Sequence, residues 1–110
     1  MKAEDLHIRL RMIYTENMIE RIQVLSSLEG KIEKIIVDVH GLSCQEARQF
    51  INNVINLSFG SCTVEVIHGY RHGTKIKEMI QEKFLNPYIK LIIPDQFNLG
   101  VTYLRPSAVM

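Results

Sequence analysis

Two segments of like construction constrain the fold of this chain most. Each is an apolar, β-rich run that ends in His-Gly and hands over to a stretch of helical period. The first is Ile35-Ile36-Val37-Asp38-Val39-His40-Gly41, and the second runs from Cys62 to Ile67 and on into His68-Gly69. A strand-helix-strand crossover joins parallel strands and is right-handed in nearly every case. Both strands therefore end at one edge of a sheet, and both His-Gly turns arrive there together.

The elements between and after them can be read by period. A strand is predicted over 34–39. Ser43 and Glu46 then form a capping box, and Ala47, Phe50, Ile51, Val54 and Ile55 line one face of the helix that follows. Gly60 ends that region, and a second strand is predicted over 62–67. His72-Gly73-Thr74 opens a second helix with Ile76, Met79, Ile80 and Phe84 on its face, broken at Asn86-Pro87. A third strand over 89–93 closes at Pro94, a loop runs through Asp95 to Asn98, and a fourth strand covers 101–104. The expectation is an α/β (α+β) two-layer sandwich with a βαβαββ core and a four-stranded mixed sheet.

Residues 1–30 are harder to read. Leu6, Ile8, Leu10 and Met12 alternate as in a strand, while Leu6, Leu10 and Ile13 fit a helical stripe. From Thr15 onward a helix is predicted, with Met18, Ile19, Ile22 and Leu25 as its stripe and Gly30 as its stop. This makes 1–30 a mostly helical extension that covers the sheet or a second copy of the chain as a homodimer, and 31–110 the principal domain.

At 110 residues, 46% of them hydrophobic, the chain holds one real core. A formal net charge of +1 excludes the global electrostatic signature of a basic nucleic-acid binder, so phosphate binding has to come from a local patch. Lys31, Lys34, Arg71, Lys75, Lys77, Lys83 and Lys90 all fall in the second part of the chain. Cys44 and Cys62 lack disulfide-framework or metal-site spacing and are expected as reduced thiols. There is no apolar run of signal-peptide or membrane-spanning length, which makes the cytoplasm the expected location and a membrane no partner.

The chemistry gathers at the shared edge. Residues two apart in a strand share a face, so Asp38 and His40 come together beside Gly41. One reading makes them a catalytic pair; the other has Asp38 bonding turn amides while His40 plugs the strand end. His68 has the parity of Val64 and Val66, which makes it either a core cap or a ligand-facing group. Arg71, in a glycine-flanked loop, can fork onto phosphate oxygens. With His72 nearby and both core helices starting at this edge, the place suits an anion, most simply a phosphate.

Val37-Asp38-Val39-His40-Gly41-Leu42-Ser43 and Ile67-His68-Gly69-Tyr70-Arg71-His72-Gly73-Thr74 resemble the LDxHG and HGxGxG signatures of the Small MutS-Related (Smr) domain. Gly100-Val101-Thr102-Tyr103-Leu104 resembles that family's closing strand, so the resemblance spans roughly 34–105. It implies a sandwich like the C-terminal domain of translation initiation factor 3, with strand order 1-2-4-3 and the last strand antiparallel. It also implies DNA or RNA binding, with nicking or endonuclease activity in some members, roles in DNA repair or recombination, and ribosome association in others. Carried over, Asp38 and His40 match the acidic and imidazole positions of the first signature and so become the catalytic candidates, while His68, Gly69 and Gly73 match the second; with Gly41, Arg71, His72, Thr74 and Lys75 beside them they make up the expected phosphate-binding edge. Val37 replaces the signature leucine. Arg71 replaces the middle glycine of the second signature, where glycine permits close backbone approach, so the guanidinium either clamps the phosphate itself or leaves a domain that binds without cutting.

The mechanism these residues suit has His40 as general base, oriented by Asp38, with Arg71 and the helix amides stabilising the pentacoordinate charge. On RNA the 2′-hydroxyl can be the nucleophile with no metal; on DNA water attacks, and Asp38 could help to hold Mg2+. The alternative is a non-catalytic RNA- or ribosome-binding module using the same edge. Single-stranded readers usually expose several aromatics for stacking, and only Tyr70 and Phe97 are candidates here, so sequence-specific base reading is not expected.

Overall fold

The computed structural model describes residues 1–71 and 73–106. The elements are α1 (Ala3–Arg11), α2 (Glu16–Ile19), β1 (Ile22–Ser26), β2 (Ile32–Asp38), α3 (Cys44–Leu57), β3 (Thr63–Ile67), α4 (Lys75–Glu78), which continues as a π-helical turn over Met79–Lys83, β4 (Leu91–Pro94) and β5 (Val101–Arg105). The strands form one mixed sheet in the order β1-β2-β3-β5-β4. β2 and β3 are parallel, with Asp38 level with Ile67, while β5 runs antiparallel to both β3 and β4. Its four later strands thus follow the expected 1-2-4-3 order.

The alternation of the strands makes one face of the sheet apolar. Ile35, Val37, Val64, Val66 and Leu104 are buried there with Phe50, Ile51, Val54 and Ile55 of α3 and with Met79 and Ile80. The opposite face carries Lys34, Ile36, Glu65 and Tyr103, and Lys34 Nζ bonds Glu65 Oε1 at 2.8 Å across it. α3 begins with the predicted capping box: Ser43 Oγ accepts from Glu46 N, and Glu46 Oε1 accepts from Ser43 N. Pro94 is tolerated because β4 lies at the edge of the sheet. After α3, Asn86 Nδ2 donates to Asn52 and Asn56 Oδ1, fixing the chain before β4 against the helix.

The sheet has five strands rather than four, and the extra one comes from the N-terminal segment. The helix expected from Thr15 stops after one turn at Ile19, and Ile22–Ser26 pairs antiparallel with β2. Ile22 and Val24 are β-branched, and without β1 the outer edge of β2 would present unpaired amides and carbonyls. Gly30, at φ +84°, closes a hairpin instead of ending a helix. In α1 the helical period prevails over alternation: Leu6 and Leu10 are buried, whereas Ile8 and Met12 point outward. Leu6, Leu10, Ile19 and Ile22 belong to the same buried cluster as the rest of the core, so 1–30 has no core of its own. Tyr14 packs edge-on against Phe50 and accepts a 2.7 Å hydrogen bond from Asn53.

Candidate functional site

The parallel pairing of β2 and β3 sets both His-Gly turns at one sheet edge. Val39 N bonds Ile67 O at 2.9 Å, and a Cβ on Gly69 would lie 3.6 Å from His40 Cβ. A cleft of about 970 Å3 opens there. Of the residues singled out from sequence, His40, Gly41, His68, Gly69, Arg71, Gly73 and Lys75 line it. Asp38 stands behind His40. Thr74 turns aside, its hydroxyl donating to Glu78 Oε1 at 2.9 Å. His72 lies outside the described residues.

Asp38 and His40 form a pair. His40 Nδ1 meets Asp38 Oδ1 at 2.5 Å, and the His40 amide donates to the same oxygen at 3.1 Å. A carboxylate only accepts, so the ring hydrogen sits on Nδ1 and Nε2 is the nitrogen left for a substrate. Arg21 braces the pair from β1's flank: its Nη1 donates to the carbonyl oxygens of Asp38 and His40, each at 3.1 Å, and its own carbonyl accepts from Asp38 N at 2.8 Å. Arg21 was invisible to sequence reasoning because its position depends on β1 being a strand.

His68 has a different office. It is buried at the end of β3, and both ring nitrogens are used inside the fold: Nδ1 with Gly69 O at 2.8 Å and Nε2 with Thr102 Oγ1 at 2.9 Å. The carbonyl can only accept, so Nδ1 carries the hydrogen and Nε2 takes that of Thr102, whose oxygen accepts in turn from Gln81 Nε2 at 2.9 Å. This is the core-capping reading, with the ring fastening the second His-Gly turn to β5. Gly100 completes the fastening, its carbonyl accepting from the His68 and Gly69 amides at 2.9 and 3.1 Å. A Cβ on Gly100 would come within 3.2 Å of Gly69 Cα, so the two loops meet backbone to backbone.

Burial holds the His68 imidazole's pKa below its ordinary value of 6.5. Below about pH 6.5 the unfolded chain takes up a proton that the folded chain refuses. Stability therefore falls as pH drops from there towards the lowered value, by at most about 1.4 kcal/mol per pH unit, and this contribution is flat above about pH 6.5. Urea unfolding between pH 5 and 7.5 should show a smaller pH slope for His68→Gln than for the wild type; equal slopes would show that this imidazole does not hold off its proton.

Among the described residues no acidic side chain lines the cleft, while His40, Arg71 and Lys75 do. Ser43 and Cys44 bring the start of α3 to it. The capping box engages the amides of Ser43 and Glu46, and by helix geometry those of Cys44 and Gln45 have no acceptor within the helix. Both cysteines are free thiols, Cys62 buried and Cys44 partly so. No family model, curated protein or solved structure matches the chain.

Mg2+ at Asp38 fits these residues poorly. Mg2+ needs only one or two carboxylates with water and phosphate oxygens, but Asp38 Oδ1 is already engaged by His40 and no acidic side chain is among the described lining of the cleft, which leaves a cation Asp38 Oδ2 alone. No helix is long and apolar enough to cross a membrane among the described residues.

Proposed function

We propose that the chain is an Smr-like nucleic-acid-binding domain that cleaves single-stranded RNA at the Asp38–His40 edge. One observation carries this reading: a carboxylate-oriented imidazole stands on a cleft lined by Arg71 and Lys75, with no acidic side chain among its described lining residues. The strand order β2-β3-β5-β4 also supports it, since it is the order expected of a sandwich like the C-terminal domain of translation initiation factor 3. The hairpin strand β1 is an addition to that plan.

In the mechanism, the phosphodiester lies in the cleft with its charge against Arg71 and Lys75. His40 Nε2 removes the proton of a 2′-hydroxyl, and Asp38 stabilises the imidazolium through Nδ1. The 2′-oxygen forms a bond to the neighbouring phosphorus, and the bond from phosphorus to the 5′-oxygen breaks. The departing oxygen takes a proton from water and the His40 imidazolium returns its own to solvent, leaving a 2′,3′-cyclic phosphate and a 5′-hydroxyl. Arg71 donors oppose the charge that builds on the equatorial oxygens. The nucleophile comes from the substrate, so no step requires a metal.

Incubation with labelled single-stranded RNA, single-stranded DNA and branched DNA, in EDTA or Mg2+, tests this. The expected result is cleavage of RNA alone, undiminished in EDTA, with cyclic phosphate ends and with a single 2′-deoxy substitution blocking its site. Cleavage of DNA that depends on Mg2+ would overturn the metal-free mechanism. The presence of Arg71 where the signature has glycine favours a second reading, a cytoplasmic RNA- or ribosome-binding module that holds the backbone without cutting it. Tight RNA binding with no cleavage in any condition would select that reading.

A further inference from the structure

Phe97 is the most exposed aromatic side chain described, at 93%, yet the loop that carries it is firmly built. Asp95 Oδ1 accepts from the amides of Phe97 and Asn98, both at 2.9 Å, and its Oδ2 accepts from the Tyr103 hydroxyl at 2.7 Å. Asn98 Oδ1 accepts from Gly100 N at 2.9 Å, and Gly100 O is bonded to the His68-Gly69 turn. The hydrogen bond to Asp95 pushes the Tyr103 hydroxyl up to about 12 and, with the loop amides, holds the Asp95 carboxyl below its usual range. These bonds therefore persist across the neutral range. The loop also borders the site, because Asn98 and Gly100 line the cleft on which His40 and Arg71 stand.

An exposed phenyl ring on a mobile loop is unremarkable, whereas one held out beside a cationic cleft has already lost the freedom that a contact would otherwise have to remove. We propose that Phe97 is a stacking platform for an unpaired base of a strand whose phosphates lie along Arg71 and Lys75. This rests on the nucleic-acid reading of the cleft and adds what that reading leaves open, namely that the preferred ligand is single-stranded. Every base has a π-face, so the platform accepts any sequence. Tyr70, half-exposed on the cleft wall, offers a second ring for a neighbouring base. A duplex keeps its bases stacked on one another and offers Phe97 none.

The test measures binding of a fluorescent single-stranded RNA of mixed sequence and of the same RNA as a blunt duplex, to wild type, Phe97→Ala and Phe97→Trp, in EDTA with a non-cleavable 2′-deoxy-modified strand. Loss of one stacked base weakens binding roughly 5- to 150-fold. Phe97→Ala should lose that much on the single strand, with duplex affinity within about twofold of wild type. Because the chain has no tryptophan, Phe97→Trp supplies a lone emitter, and saturation with the single strand should quench it while affinity is retained. Wild-type affinity for the single strand in Phe97→Ala, or an unchanged tryptophan signal at saturation, overturns the platform and leaves the cleft reading standing. Failure of the wild type to bind either RNA overturns both.

Discussion

Replacing His40 with alanine is expected to lower RNA cleavage by about 10²–10⁴-fold, the usual contribution of a positioned general base. The protein should stay folded, because the His40 side chain is 66% exposed and contributes little to the core. Binding of the RNA should change little, since Arg71 and Lys75 remain. Asp38→Asn sharpens the result. An amide can present its NH2 to Nδ1 and so shift the ring hydrogen to Nε2, which disables the base without removing it. Rates for both variants, measured with thermal unfolding and RNA affinity, separate chemistry from folding. Wild-type rates in His40→Ala would remove the pair from catalysis and leave Asp38 and His40 as a strand-end brace.

Leu10→Ala should cost about 2–5 kcal/mol of stability, as removal of a fully buried leucine does when its surroundings cannot collapse. Leu10 and Leu6 are wholly buried in the cluster that contains Phe50 and Ile51, and α1 packs against α3 and β1. The first thirty residues therefore act as part of the folding unit. Their start is tied to the hairpin as well, with Ala3 N bonding Gly30 O at 2.8 Å and Ile32 N bonding Met1 O at 3.2 Å. Urea unfolding of the full chain reads the effect as a lower midpoint with an unchanged slope. A loss under about 0.5 kcal/mol would make α1 a detachable cover, on the scale of surface substitutions. The same experiment bears on the site, because β1 places Arg21 against Asp38 and His40.

What the sequence determined by itself was local or followed from local pattern. Ser43 and Glu46 lie three residues apart and cap α3 through bonds within one turn. The apolar period of Ala47 to Ile55 marks the buried face of that helix. The β-rich runs before His40 and His68, separated by a helix, make parallel strands nearly obligatory, and so bring two distant His-Gly turns to one edge. The proximity of Asp38 and His40 follows from the two-residue period of a strand.

Only the tertiary structure decided what depends on a partner elsewhere in the chain. Ile22 to Ser26 carries both a helical stripe and β-branched residues, and the open edge of β2 chose between them. That choice brought Arg21 to the site. The second core helix is short and widens into a π-helical turn, in which Met79 and Ile80 are buried. His68 could have faced a ligand or the core, and Thr102, thirty-four residues away, took its second nitrogen. Phe97 was a stacking candidate in a loop, and only the bonds of Asp95 to that loop and to Tyr103 hold it beside the cleft. In each case several local conformations were close in energy, and burial or a hydrogen-bond partner remote in sequence selected one of them.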